Sequence, residues 1–149
     1  MMEMKFSTLY NLVNSMNSVY QKIQKASGLP SSEYWVMFSV YKDGSRFAHE
    51  ICLSTFMSRQ TASLAIKNLV RKGWLTVEVS PENRRTKELH TTEEGMIFAK
   101  QFIFPVGQLE EKAWSRLSPE EKESSITIMS RFRSFFIEEA EPLLKEVTP

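Results

Sequence analysis

The chain has 149 residues, of which 42% are apolar, and a formal charge of +1. That length holds one compact domain or a small domain with helical arms, and the composition is too apolar for a disordered chain. No apolar run approaches a membrane span, no charged start leads into a hydrophobic segment with a cleavage site, and a single cysteine excludes an internal disulfide, so a soluble cytoplasmic protein is expected.

Phe6, Leu9, Val13, Met16, Tyr20 and Ile23 recur at spacings of three and four residues, which is a heptad seam. It predicts a first helix that packs on another helix, from the same chain or from a second copy. Ser27, Gly28, Leu29 and Pro30 stop it. Ser31 or Ser32 can cap a second helix over 33–42. There Trp35, Val36, Phe38, Val40 and Tyr41 leave few polar positions, so this helix is expected in the interior. Residues 45–55 read as a third helix with Ala48, Ile51 and Cys52 on one face and His49 and Glu50 on the other. The turn after it contains Phe56, and is expected to be built without a residue that prefers positive φ.

Residues 58–73 form the centre of the chain. Ala62, Ala65, Ile66, Leu69 and Val70 follow the i, i+3, i+4, i+7 spacing of one buried helical face. The other face carries Arg59, Gln60, Ser63 and Lys67, donor-rich side chains of the kind that reach base edges and phosphates from a helix in the major groove. Ser58 can cap the first turn, Arg71 and Lys72 suit the negative end of the helix dipole, and Gly73 fits the left-handed residue that ends the helix. Residues 74–79 and 86–91 then read as two strands of a hairpin with a tip at 80–85. The tip carries Arg84 and Arg85, and arginine suits a narrow, electronegative minor groove. A threonine cap with Glu93 and Glu94 begins the next helix.

Residues 96–104 are apolar enough to lie between bodies, and Pro105 is expected to kink or break the helix. A further piece follows over 106–117. Ser118, Pro119, Glu120 and Glu121 make a strong helix start, with a serine cap, proline at the first position and then acids. The last helix carries Ile126, Met129, Phe132, Phe136, Ala140 and Leu143 along one stripe.

These elements make a mainly α protein with a small β-wing, a winged helix-turn-helix with helical segments at both ends. Residues 58–95 resemble the MarR family of bacterial winged-helix transcription regulators. The family's Ser-Arg-x-Thr-x-Ser is here Ser58, Arg59, Gln60, Thr61, Ala62 and Ser63. Its Leu-x-x-x-Gly runs from Leu69 to Gly73, its wing Asp-x-Arg is Asn83, Arg84 and Arg85, and its Leu-Thr-x-x-Gly exit is Thr91, Thr92, Glu93, Glu94 and Gly95. Leu64 stands where the family often has arginine, Asn83 replaces the wing aspartate, and Thr91 replaces a leucine.

The resemblance implies one domain over 1–149, with a winged-helix DNA-binding lobe at 29–95 and helical dimerisation regions at 1–28 and 96–149. It implies a homodimer on double-stranded DNA, acting as a repressor at a pseudo-palindromic operator and released by a small aromatic or amphipathic effector or an oxidant. Ser58, Arg59, Gln60, Thr61, Ser63, Lys67, Arg84 and Arg85 are the expected DNA contacts, with Asn83 supporting the wing. Phe6, Leu9, Val13, Met16, Tyr20, Ile126, Met129 and Phe136 are the expected dimer contacts. Leu64 and Asn83 keep a second function open, a winged-helix protein-interaction module without sequence-specific DNA binding.

Charge distribution agrees with a polar face of this kind: residues 58–90 hold seven Lys/Arg against three Glu, and residues 105–149 hold six against nine. Other chemistries find little support. His49, His90 and Cys52 match no zinc spacing, and His49, Glu50 and Cys52 do not share one helical face. No metal or other cofactor is expected. Cys52 sits on an apolar stripe, where a buried, inert thiol is expected in place of a redox switch. No Gly-rich phosphate loop or nucleophile motif is present, so no enzyme is expected. Trp35, Trp74 and Trp114, with the phenylalanines and methionines, can be core or can line an effector pocket.

Overall fold

The structure, a computed structural model, describes residues 5–44, 46–83 and 86–147. In chain order the elements are α1 (Phe6–Ala26), α2 (Ser31–Tyr41), α3 (Ala48–Thr55), α4 (Arg59–Arg71), β1 (Leu75–Val79), β2 (Lys87–Thr91), α5 (Glu93–Phe102), α6 (Phe104–Trp114) and α7 (Pro119–Val147). They divide into two compact units, Met1–Gly107 and Gln108–Pro149.

The first unit is built around α2. Its sequence is apolar on nearly every side, and Tyr34, Val36 and Met37 are fully buried. A helix of that composition can only sit inside others, and α2 packs against α3, α4, α5 and β2. Its polar atoms are satisfied across these contacts. The Tyr34 hydroxyl donates to the Phe102 carbonyl at 3.2 Å, and the Ser39 and Ser54 hydroxyls pair at 2.7 Å. Ile51, Ala62, Ala65, Leu69, Leu75 and Ile103 close the core around it.

Several boundaries differ from expectation. α2 begins two residues early, so Ser31 and Ser32 are its first helical residues rather than caps, and Pro30 takes the cap position with no side-chain bond. Pro30 has φ −53, already near a helical value, which lets the chain enter the helix at once. Val70, expected on the buried face of α4, is 38% exposed, because it lies at the edge of the stripe formed by Ala62, Ala65, Ile66 and Leu69. Helix α3 starts at Ala48, and Ser45 lies outside the described residues. The chain breaks at Ile103, one residue before α6 begins. Pro105 then falls in the first turn of α6, where a missing N–H costs nothing.

The main departure is Phe56. It adopts φ 56 and ψ 20, the left-handed conformation, and is the one described non-glycine residue with positive φ. The turn therefore keeps the conformation that glycine would take, with a bulky side chain in it. That side chain is 93% exposed, so it gains no burial in return for the backbone strain.

β1 and β2 pair antiparallel, with Leu75 opposite Thr91 and Val79 opposite Lys87. A two-stranded ribbon is marginal alone. Here Leu75 and Leu89 anchor it in the core, and the Leu89 N–H donates to the Arg46 carbonyl at 2.8 Å, tying the ribbon to the segment before α3.

In the second unit, the start of α7 forms a capping box. The Ser118 N–H donates to the Glu121 carboxylate at 2.7 Å, and the Glu121 N–H donates to the Ser118 hydroxyl at 3.2 Å. No described residue of α7 is buried, and Ile126, Met129, Phe136 and Leu143 are among its exposed apolar side chains. No described helix is long and apolar enough to cross a membrane.

Candidate nucleic-acid interface

The polar surface of α4 is set by how the helix is held from behind. Ser58 is the N-cap, and its hydroxyl accepts the Thr61 N–H at 3.1 Å and pairs with the Thr61 hydroxyl at 2.9 Å. Thr61 thus helps to build the cap as well as lining the surface. At the other end Gly73 has φ 76, as expected of the residue after the C-cap. Between these ends Arg59, Gln60, Ser63 and Lys67 are all exposed, and Leu64 lies among them.

The back of α4 is locked by a contact that sequence reasoning missed. Glu33 of α2, almost fully buried, accepts the Asn68 side-chain amide at 3.0 Å and forms an ion pair with Lys72. The Lys72 ammonium also lies 5.9 Å from the centre of the Trp74 ring, so this lysine belongs to the scaffold. Only the apolar composition around Glu33 hinted at this, since a carboxylate in such a helix needs a partner.

The wing is held in the same way. Glu88 is nearly buried and pairs with Arg46. The Ser80 hydroxyl, then the Arg46 guanidinium, hold its carboxyl below the ordinary carboxylate range. At the tip the Ser80 N–H donates to the Thr86 carbonyl and the Thr86 N–H to the Asn83 carbonyl, both at 2.8 Å. Asn83, the expected wing support, lies at this tip, and its backbone carbonyl helps to close it. Arg84 and Arg85 lie outside the described residues.

These contacts decide the electrostatics of the lobe. Glu33 and Glu88 are taken up internally, and the Glu50 carboxylate accepts the Arg46 and Phe47 N–H groups at 2.7 and 3.1 Å, capping α3. Among the described residues no carboxylate pairs with Arg59 or Lys67 of α4, and the N-terminus of α4 adds the positive end of a helix dipole. The result is a donor-rich, positively biased helix face next to a β-ribbon.

The exit from the wing explains its threonine and glycine. Thr92 caps α5 by accepting the Gly95 N–H at 3.1 Å and donates its hydroxyl to the Gly73 carbonyl at 2.6 Å. Its N–H donates to the Trp74 carbonyl at 3.0 Å. A Cβ on Gly95 would lie 2.1 Å from that same carbonyl oxygen.

The expected dimer residues are divided. Phe6 and Met16 of α1 are exposed and Leu9 and Val13 half-buried. Tyr20 packs within its own chain, with its ring 6.0 Å from Trp35. In the second unit Ile126, Met129 and Phe136 are exposed. Cys52 is half-buried at the edge of the core rather than enclosed. Trp35 and Trp74 pack against the core of the first unit, and Trp114 is 44% exposed.

A capped helix presenting polar side chains, preceded by a short helix and a tight turn and followed by an antiparallel ribbon, is a winged helix-turn-helix. Residues 27–86 match the MarR family. A curated relative, an uncharacterized HTH-type transcriptional regulator, YkoM of Bacillus subtilis (strain 168), is 26% identical over 108 residues, covering 72% of this chain and 70% of its own. Among solved structures, NMB1585, a MarR family regulator from Neisseria meningitidis, superposes with a TM-score of 0.69 at 19% identity, over 91% of this chain and 97% of that one. The Staphylococcus aureus MepR–DNA complex does so with a TM-score of 0.61 at 21% identity, over 90% and 99%. The winged-helix lobe of this chain is thus similar in sequence to the MarR family over residues 27–86 and similar in fold to solved regulators of that family.

Proposed function

We propose that the protein is a homodimeric DNA-binding repressor that reads a pseudo-palindromic operator through α4 and the wing, and that a small aromatic or amphipathic ligand releases it. The observation that carries this reading is the exposed row of Arg59, Gln60, Ser63 and Lys67 on a lobe whose buried acids are engaged elsewhere. Such a helix can lie in the major groove with its N-terminal residues on base edges, while Arg84 and Arg85 reach phosphate or minor groove. A solved complex of MepR, a protein of similar fold, with DNA supports DNA as the partner. Exposed apolar side chains on α1 and α7, among them Phe6, Met16, Ile126 and Phe136, support a dimer, since a lone chain would leave them in water.

Release by a ligand requires that it bind the DNA-incompetent state more tightly, because equal affinity for both states shifts nothing. Sedimentation and gel shift on the full chain test the reading together. A dimer at micromolar concentration that shifts duplex DNA, with affinity falling as salt rises, is the expected result. A monomer, or binding insensitive to salt, overturns it.

A further inference from the structure

On the exposed side of α4, Gln60, Ser63, Leu64 and Lys67 follow the i, i+3, i+4, i+7 spacing that places side chains on one helical face. Three of the four are polar. Leu64 stands in their midst and is 59% exposed. A single exposed leucine needs no explanation on an ordinary surface. Here it occupies the middle of the face that docks on DNA in the proposed function, on which this inference rests. A leucine there can neither donate nor accept a hydrogen bond, so any base edge presented to it by hydrogen-bonding groups alone would lose water without compensation. The major groove offers one apolar feature, the C5-methyl group of thymine.

We infer that Leu64 is a specificity-determining residue that packs on a thymine C5-methyl group in each operator half-site. The neighbouring side chains fit the same reading. Gln60, one turn before Leu64, has the amide that pairs with the N6 and N7 edge of adenine. Ser63 can serve either base, and Lys67 supplies charge for a phosphate or a guanine. The central contacts of α4 are thus matched to an A·T pair.

The test uses the full chain and a duplex obtained by selection from random sequence, in which each thymine is replaced singly by deoxyuridine, removing the methyl and nothing else. Wild-type protein is expected to lose roughly fourfold in affinity at one thymine per half-site, the worth of one buried methyl group. Leu64→Ala is expected to bind the thymine and deoxyuridine duplexes equally at that position. Leu64→Met, which keeps an apolar contact, is expected to retain the difference. Because the side chain is largely in water, both variants should unfold at the wild-type denaturant concentration, which checks that the helix is intact. If no thymine is sensitive in the wild type, or if Leu64→Ala keeps the sensitivity, the inference is wrong while operator binding stands. If selection enriches no sequence at all, the DNA-reading function fails and the inference fails with it.

Discussion

Replacing Gly95 with alanine should be costly out of proportion to the single methyl it adds. Its Cβ would lie 2.1 Å from the Trp74 carbonyl oxygen and 2.9 Å from Thr91 Cγ2, against the 3.4 Å at which ordinary contact begins. The carbonyl cannot simply withdraw. It accepts the Thr92 N–H at 3.0 Å, and the Trp74 ring is stacked on Phe98 with centroids 4.7 Å apart, so a shift is passed into the core. Overpacking of this kind costs about 1–3 kcal/mol and the weakened hydrogen bond about 1 more, while alanine returns up to ~1 kcal/mol of helix propensity. The net loss should be about 1–3 kcal/mol. Urea unfolding at fixed protomer concentration measures it as a lower midpoint with unchanged slope. Gly107→Ala is the control, since its Cβ would meet only the Lys42 side chain, at 3.5 Å, and it should be neutral or slightly stabilising. A Gly95→Ala protein within about 0.5 kcal/mol of wild type would refute the reasoning.

Other changes have different signs. Phe56→Gly should raise stability by about 0.5–1 kcal/mol, because relief of the left-handed strain, about 1–2 kcal/mol, exceeds the added chain entropy; thermal melting should show the rise, and a fall in Phe56→Val. Glu33→Ala should lower stability by about 2 kcal/mol in urea, less than for a fully enclosed ion pair because Lys72 is 40% exposed. Glu88 has a folded-state pKa held below its ordinary 4.5, so its stabilisation is present above that value and is lost as pH falls through the lowered one; Glu88→Gln should flatten the stability profile below pH 4.5 in acid titration. Gln60→Ala should cost about 1–3 kcal/mol on the operator and little on random DNA, whereas Arg84→Ala should weaken both and reduce the salt slope by roughly one unit for each phosphate left without its cation.

What could be read from the sequence was mostly local. The caps at Ser58, Thr92 and Ser118 and the left-handed Gly73 depend on groups within one helical turn, and their residue types state that chemistry directly. The polar row on α4 followed from helical spacing alone. The contacts that hold this row in place were not legible, because Glu33 meets Asn68 and Lys72 across 35 and 39 residues and Arg46 meets Glu88 across 42. Phe56 misled for a related reason. Its side chain argues against positive φ, but the turn that joins α3 to α4 imposes that conformation on whichever residue occupies it. The seam on α1 was regular enough to be read as one surface, yet Tyr20 and Ile23 pack on the core of their own chain while Phe6 and Met16 are exposed.

Selection of bound fragments from a random duplex pool, followed by sequencing, tests the central claim most directly. A two-fold dimer using α4 and the wing should enrich an inverted repeat with half-sites about one helical turn, ~10 bp, apart. Enrichment of no motif, with DNA retained only through salt-sensitive, sequence-independent contacts or not retained at all, would contradict it.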